Sequence, residues 1–261
     1  MEFFDSHSHY NDEKFKEDRE KIIQETYESG VTKFICAGYD IKTSKISLEI
    51  AEKYEYIYSI CGISPNDVPE NENQIDENIK QIEEIIKSDK NNKIVAIGEI
   101  GLDYYWNKEN KEIQKQTFIN QIKLANAYNV PIVIHTREAV EDTIKILKEN
   151  GVNNKGVFHC CPLNKELIKQ ALKLGFYISF AGPITFKNSK NAEEIVKMVP
   201  LEKILIETDS PYLAPEPKRG TRNDSRNVKY IAEKIANFKN IQLEQVANAT
   251  YENAKQIFKI K

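Results

Sequence analysis

Eight short runs rich in Val, Ile and aromatic residues alternate along this chain with longer, charge-laced amphipathic stretches. A run of about 4–8 such residues reads as a buried strand, and a stretch with apolar residues every three or four positions reads as a helix. The runs are Phe3 to His9, Thr32 to Ala37, Ile57 to Ile63, Ile94 to Glu99, Pro131 to His135, Gly156 to His159, Phe176 to Phe180 and Ile204 to Asp209. Helical spacing fills Glu109 to Tyr128, through Ile113, Phe118, Ile122 and Ala125, and Glu138 to Glu149, through Ile144 and Leu147. After the eighth run come two more helical stretches, Asn227 to Phe238 and Leu243 to Phe258. Strict alternation predicts a parallel sheet, because parallel neighbours need a crossover helix between them. Eight units in 261 residues, close to the roughly 250 typical of the architecture, predict a TIM-type (β/α)₈ barrel. We read residues 1–261 as a single domain with one extra C-terminal helix, since no repeat, Ser/Gly-rich linker or composition break divides them.

The C-terminal rim of such a barrel is where loops converge above a packed interior, so side chains at strand ends matter most. All four histidines fall there: His7 and His9 end the first run, His135 the fifth and His159 the sixth, while Glu99 and Asp209 end the fourth and eighth. Residues at i and i+2 of a strand share a face, which makes His7 and His9 a two-nitrogen clamp. A lone histidine at a strand end is more often structural or solvated than a ligand. Six ligand-type side chains on one rim are much harder to explain in that way, so the set carries the signal. Imidazoles suit Zn and Mn, and carboxylates add the hard donors that Mg and Mn accept. Six donors exceed one tetrahedral ion and fit two divalent ions roughly 3.5–4 Å apart, with a carboxylate bridging them. Glu99 is the expected bridge.

Five segments then stand in a telling order: Phe4 to His9, Gly98 to Tyr105, Ile134 to Arg137, Val157 to Cys160, and Glu207 to Leu213. They resemble the TatD-type metal-dependent DNase family of the metal-dependent amidohydrolase superfamily, and Arg219 to Asn223 extends the match. The resemblance implies His7, His9, Glu99, His135, His159 and Asp209 as metal ligands and DNA as the usual substrate. Related superfamily members often carry a carbamylated lysine where Glu99 stands, so Glu99 points to the TatD-like branch. Two departures stand out. The family's Gly-x-His-Pro-His stretch reads Gly62-Ile63-Ser64-Pro65-Asn66 here, and its Cys-Phe-Ser-Gly reads Cys160-Cys161-Pro162-Leu163. They bear on how the substrate is held, not on the ligand set.

From these residues we expect a deoxyribonuclease, exonuclease-like and acting on single-stranded or frayed DNA ends. Asp209 is assigned a second job as proton acceptor from the attacking water, and Glu99 the bridging one. Candidates for holding phosphate are Arg137, Lys187, Arg219 and Arg222, since cationic donors match phosphate oxygens. Each is otherwise a surface charge. Tyr104, Tyr105, Trp106, Phe186 and Tyr212 lie on rim loops and could stack bases or simply pack, the latter being favoured for Tyr212. Asp5 and Glu207 have the parity of partners for imidazole N–H groups, or of buried structural carboxylates. Cys160 alternates away from His159; Cys161 shares its parity, either as an inert loop thiol, the reading we favour, or as a neighbour of the site. The same donor set serves a hydrolase of an amide, lactone or aminoacyl ester, and less readily a non-enzymatic metal or nucleic-acid binding protein.

The net charge of −3 gives no global attraction for nucleic acid, so any such substrate depends on a local patch and on metal ions. Four cysteines without CxxC spacing point to reduced thiols. No run approaches the ~18 apolar residues of a membrane span, and the N-terminus lacks the pattern of a secretory signal. We therefore expect a cytoplasmic protein with no membrane contact and no obligate protein partner.

Overall fold

A computed structural model of the chain describes all 261 residues. The strands are β1 (Phe3–Ser8), β2 (Val31–Ala37), β3 (Ile57–Cys61), β4 (Ile94–Asp103), β5 (Ile132–Arg137), β6 (Gly156–Phe158), β7 (Tyr177–Phe180) and β8 (Ile204–Ile206). They pair in parallel in sequence order. The helices are α1 (Arg19–Glu28), α2 (Ile41–Lys53), α3 (Ile75–Ser88), α4 (Lys111–Tyr128), α5 (Val140–Asn150), α6 (Lys165–Lys173), α7 (Ala192–Met198), α8 (Val228–Lys239) and α9 (Leu243–Phe258). This is the TIM barrel expected from the alternation, with α9 as the extra helix. No helix is long and apolar enough to cross a membrane.

Local chemistry explains the helix starts. Asp40 accepts the Thr43 N–H at 2.6 Å while the Thr43 hydroxyl accepts the Asp40 N–H at 2.9 Å, a reciprocal cap that opens α2. Asn164 caps α6 by accepting the Leu167 N–H at 3.0 Å. The apolar stripe of each helix, such as Ile75, Ile82 and Ile85 of α3, is buried against the strands. At the N-terminal end of the barrel, Ala254, Ile257 and Phe258 of α9 pack with Phe4, Val133, Val157 and Leu205 and close that mouth.

The inward layer explains how the opposite mouth is furnished. Val133, Val157 and Leu205 fill the barrel from β5, β6 and β8, and two residues further on the same side lie His135, His159 and Glu207. In β1 and β4 that parity is broken. Asp5 pairs with Phe34 and Ser8 with Cys36, so β1 spends three residues where β2 spends two. Likewise Ile97 pairs with Ile132 and Ile100 with Ile134, one extra residue in β4 against β5. A bulge of this kind re-aims the side chains beyond it. Phe4 and Ala96 look into the core below, yet His7, His9 and Glu99, of opposite parity, look into the mouth above.

The barrel also closes at the mouth. The Asp209 N–H donates to the His7 carbonyl at 3.0 Å and the His9 N–H to the Ser210 carbonyl at 2.7 Å, around a parallel bridge between Ser8 and Ser210. Below them the Thr208 N–H and hydroxyl both donate to Asp5, at 2.9 and 2.5 Å, and the Ser6 hydroxyl donates to the Ile206 carbonyl at 3.0 Å. Asp209 sits just beyond β8 in the left-handed region, φ +55°, a costly conformation that recurs at functional sites. Asn223 holds the loop that follows by donating to the carbonyls of Thr208 and Tyr212, at 2.9 and 2.7 Å.

One glycine is indispensable to this arrangement. Gly101 in β4 has φ +139°, and a Cβ there would stand 2.0 Å from the carbonyl oxygen of His135 on β5. Overpacking plus a disfavoured φ costs about 3 kcal/mol. For Gly101→Ala we expect a fall in melting temperature of roughly 6–12 °C by calorimetry. An unchanged melting temperature would show that β4 and β5 do not need this close approach.

Candidate metal centre

The six donors predicted from the sequence meet in one place, arranged around Glu99. Its Oε2 lies 3.5 Å from His7 Nε2 and 3.9 Å from His9 Nε2, and its Oε1 lies 3.0 Å from His135 Nδ1 and 3.3 Å from His159 Nε2. Each carboxylate oxygen thus faces its own pair of imidazoles. Asp209 joins the first group, with Oδ1 at 3.2 Å from His9 Nε2 and 3.9 Å from His7 Nε2. The two nitrogens of that group are themselves 3.2 Å apart.

These separations allow a test of fit. A tetrahedral ion with bonds of about 2.1 Å sets its ligand atoms about 3.4 Å apart. The first group has edges of 3.2, 3.2, 3.5, 3.9 and 3.9 Å, which bracket that value. The second is a triangle of 3.0, 3.3 and 3.3 Å formed by Glu99 Oε1, His135 Nδ1 and His159 Nε2. Three ligands leave further positions open toward the cavity, as sites that bind a substrate or water do. The donor set fits divalent cations in number, spacing and chemistry.

The electrostatics agree. Burial opposes ionisation of Glu99, but the charge of His159 and hydrogen bonds from His135, His159 and His7 outweigh it and hold the carboxyl well below its ordinary range. Asp209, also buried, is held at about 2 by its hydrogen bond to His9 and the surrounding imidazoles. Burial likewise disfavours charge on His9, His135 and His159, yet the carboxylates raise all three, while burial and the His159 charge lower His7. Two ionised carboxylates in a buried pocket draw positive charge onto their neighbours, and a cation meets that demand directly.

The cavity above these groups has a volume of about 870 Å³ and is lined on its outer side by Ser64, Asn66, Trp106, Arg137, Cys160 and Tyr212. Of the four cations expected to hold phosphate, Arg137 alone lines it. Arg222 instead forms a two-pronged pair with Asp18, at 2.6 and 2.9 Å, and donates to the Lys14 carbonyl. Arg219 stacks 4.0 Å over the Phe186 ring and Lys187 is exposed, both off the cavity lining. The Arg137 guanidinium lies 3.8 Å over the Tyr105 ring and 5.4 Å from the centre of the Trp106 ring. Trp106 is 68% exposed, Tyr104 is buried with its hydroxyl on Asp142, and Tyr212 donates to Asp12.

Strand parity left two roles open to Asp5, of which the structure shows the buried structural carboxylate, and it misplaced Cys160. Asp5 accepts from Thr208 and from the His7 backbone, not from an imidazole, because the extra residue in β1 lies beyond it. Cys160, not Cys161, lines the cavity: β6 ends at Phe158 and Cys160 turns at φ +36°, sending Cys161 into the apolar core. Burial and the nearby Asp209 and Glu207 carboxylates push the Cys160 thiol well above its ordinary range. Glu207 lies beside an imidazole, with Oε1 3.3 Å from His159 Nδ1, and its hydrogen bond is from the Cys160 N–H at 2.6 Å.

With this geometry in view, residues 4–259 match a family described as TatD related DNase. The chain belongs to the TatD-related DNase family. An uncharacterized metal-dependent hydrolase of Bacillus subtilis, YabD, is 43% identical over 258 residues, covering 98% of this chain and 99% of its own. One from Buchnera aphidicola is 37% identical over 264 residues, covering 100% and 97%. Among solved structures, YJJV, a TatD homolog from Escherichia coli, superposes with a TM-score of 0.91 at 24% identity over 99% and 98% of the two chains. The phosphotriesterase homology protein from Escherichia coli, complexed with phosphate in its active site, does so at 0.74 and 16% over 98% of each. At these identities the two structures establish the shared fold.

As a TatD-family metal-dependent hydrolase, the chain keeps its two departures on the cavity wall. Ser64 donates to Asp67 at 2.5 Å, and Asn66 donates to Asp103 at 3.4 Å. Asp103 itself is the residue that sequence reasoning missed: its Oδ2 is 3.0 Å from His135 Nε2. It lies four positions beyond the predicted end of β4, inside the Gly98 to Tyr105 segment that carried the family resemblance. If this centre takes cations, Mn²⁺ at about 100 times its dissociation constant adds ~2.7 kcal/mol of stability per site. In a protein of this size that is a rise of roughly 5–10 °C in melting temperature. We expect that rise in the wild type and its loss in Glu99→Gln, read by differential scanning fluorimetry. Equal rises in both would remove Glu99 from the centre.

Proposed function

We propose that this TatD-family hydrolase cleaves phosphodiester bonds of DNA from single-stranded or frayed ends, using two divalent cations of Mg, Mn or Zn. The reading rests on one observation: the two oxygens of Glu99 each face a separate imidazole pair. His7, His9 and Asp209 would hold one cation, His135 and His159 the other, with Glu99 between them. When bound, such cations lower the pKa of water toward neutrality and polarise the oxygens of a phosphodiester.

The side chains of the chain supply the rest. Asp209, kept ionised by its imidazole neighbours, stands at the mouth ready to take a proton from the attacking water. Glu99, also ionised, keeps negative charge at the centre and so fixes where positive charge gathers. Arg137 is the cavity's phosphate donor, its flat face on Tyr105 leaving in-plane N–H groups free for oxygens. Trp106 offers an exposed ring at the same rim for an unpaired base. We place the protein in the cytoplasm, where its four unpaired cysteines stay reduced.

A second reading has a specific observation behind it. Only one of the four cationic candidates reaches the cavity, so an amide, lactone or aminoacyl ester, needing no cationic track, would use the same centre. End-labelled single- and double-stranded DNA incubated with Mg²⁺, Mn²⁺ or Zn²⁺ separates the two. We expect metal-dependent shortening, abolished by chelation and in His135→Ala. Arg137→Ala should lose about 10–100-fold in kcat/KM, the value of a charged hydrogen bond of ~1.5–3 kcal/mol. Ester or lactone turnover with no DNA shortening in any metal would replace the nuclease reading by the second.

A further inference from the structure

Asp103 ends β4 with its side chain buried and both carboxylate oxygens engaged in different tasks. Oδ2 faces His135 Nε2 at 3.0 Å, and the Asn66 amide donates to it at 3.4 Å. Oδ1 accepts the backbone N–H of Tyr105 at 2.9 Å and of Trp106 at 3.1 Å, and so forms the turn that carries the exposed indole to the cavity rim. Its backbone is clamped in turn by the buried Gln114 of α4, which accepts the Asp103 N–H at 2.9 Å and donates to its carbonyl at 3.0 Å.

We infer that Asp103 is a shared positioning residue, one oxygen setting the tautomer of His135 for cation binding and the other fixing the aromatic rim that meets the substrate. The inference rests on the cation-holding centre proposed above. Its chemistry follows from the ring. His135 alone among the four histidines presents Nδ1 to Glu99, and its Nε2 is the atom that Asp103 faces. A carboxylate accepts but cannot donate, so Asp103 keeps the proton on Nε2, and when a cation takes the place of the proton between Nδ1 and Glu99 it is Nδ1 that would offer its lone pair. Partners of this kind typically govern metal affinity by 10–100-fold.

The shared anchor separates two variants. In Asp103→Asn the side-chain oxygen keeps the Tyr105 and Trp106 N–H groups, so the amide NH₂ turns toward His135. Two donors then face each other unless the ring moves its proton to Nδ1, which withdraws the lone pair from the centre. In Asp103→Ala both tasks are lost.

The test uses the full chain stripped of metal, with Zn²⁺ binding followed by calorimetry. Trp106 is the one tryptophan, so intrinsic fluorescence reads its turn alone. We expect the wild type to bind two Zn²⁺. Asp103→Asn should keep one site at wild-type affinity, weaken the other by about 10–100-fold, and leave metal-free Trp106 emission unchanged. Asp103→Ala should weaken the same site and also shift Trp106 emission to longer wavelength. Two ions at wild-type affinity in Asp103→Asn would overturn the tautomer role, and unshifted emission in Asp103→Ala the rim role, each leaving the functional reading intact. No ion bound by the wild type would overturn both that reading and this inference.

Discussion

Just below the mouth, β1 spends three residues where β2 spends two and β4 spends three where β5 spends two, and the contents of the mouth follow from those two local shifts. Without the bulge in β1, the face bearing Phe4 would present Ser6 and Ser8 to the centre in place of His7 and His9. Without the bulge in β4, the face bearing Ala96 would present Gly98 in place of Glu99. β5 and β6 need no such device, because Val133 and Val157 already share a side with His135 and His159. The pocket is thus made by combining regular strands with two irregular ones, so that a dry interior turns into a polar mouth within two residues.

The same residues that form the mouth also close the cylinder. β1 meets the chain beyond β8 through backbone hydrogen bonds of His7 and His9, and Asp5 ties the layer below to Thr208. Asp209 is held in a left-handed conformation within this seam. Closure therefore supports the donors instead of competing with them: displacing the first strand from the last would carry His7, His9 and Asp209 apart together. The left-handed Asp209 is local strain of about 1–3 kcal/mol that the seam has to oppose, a common feature of sites built for geometry before stability.

The fold was legible in the sequence because its signals are local. Each strand is a short apolar run, each helix has its stripe, and every predicted strand appears with ends shifted by a few residues. The donors were legible because the chain has only four histidines and all of them fell at predicted strand ends. The bulges were not, since an inserted residue leaves no compositional mark, and that is why parity alone could not decide between the two roles open to Asp5. Asp103 was missed because β4 runs four residues past its predicted end. Nor does any local pattern reveal that Arg222 pairs with Asp18 across 204 positions, or that a positive φ exchanges Cys160 for Cys161 at the cavity wall. What escaped was register and long-range pairing, which depend on residues far apart in the chain, and one turn whose positive φ falls on a residue type that does not announce it.

The claim underlying this account is that one carboxylate serves two cations. Anomalous diffraction from crystals grown with Mn²⁺ addresses it directly. The account predicts two peaks about 3.5–4 Å apart, one on each oxygen of Glu99, with His7, His9 and Asp209 around the first and His135 and His159 around the second. A single peak, or ions bound elsewhere with Glu99 turned away from them, would contradict it.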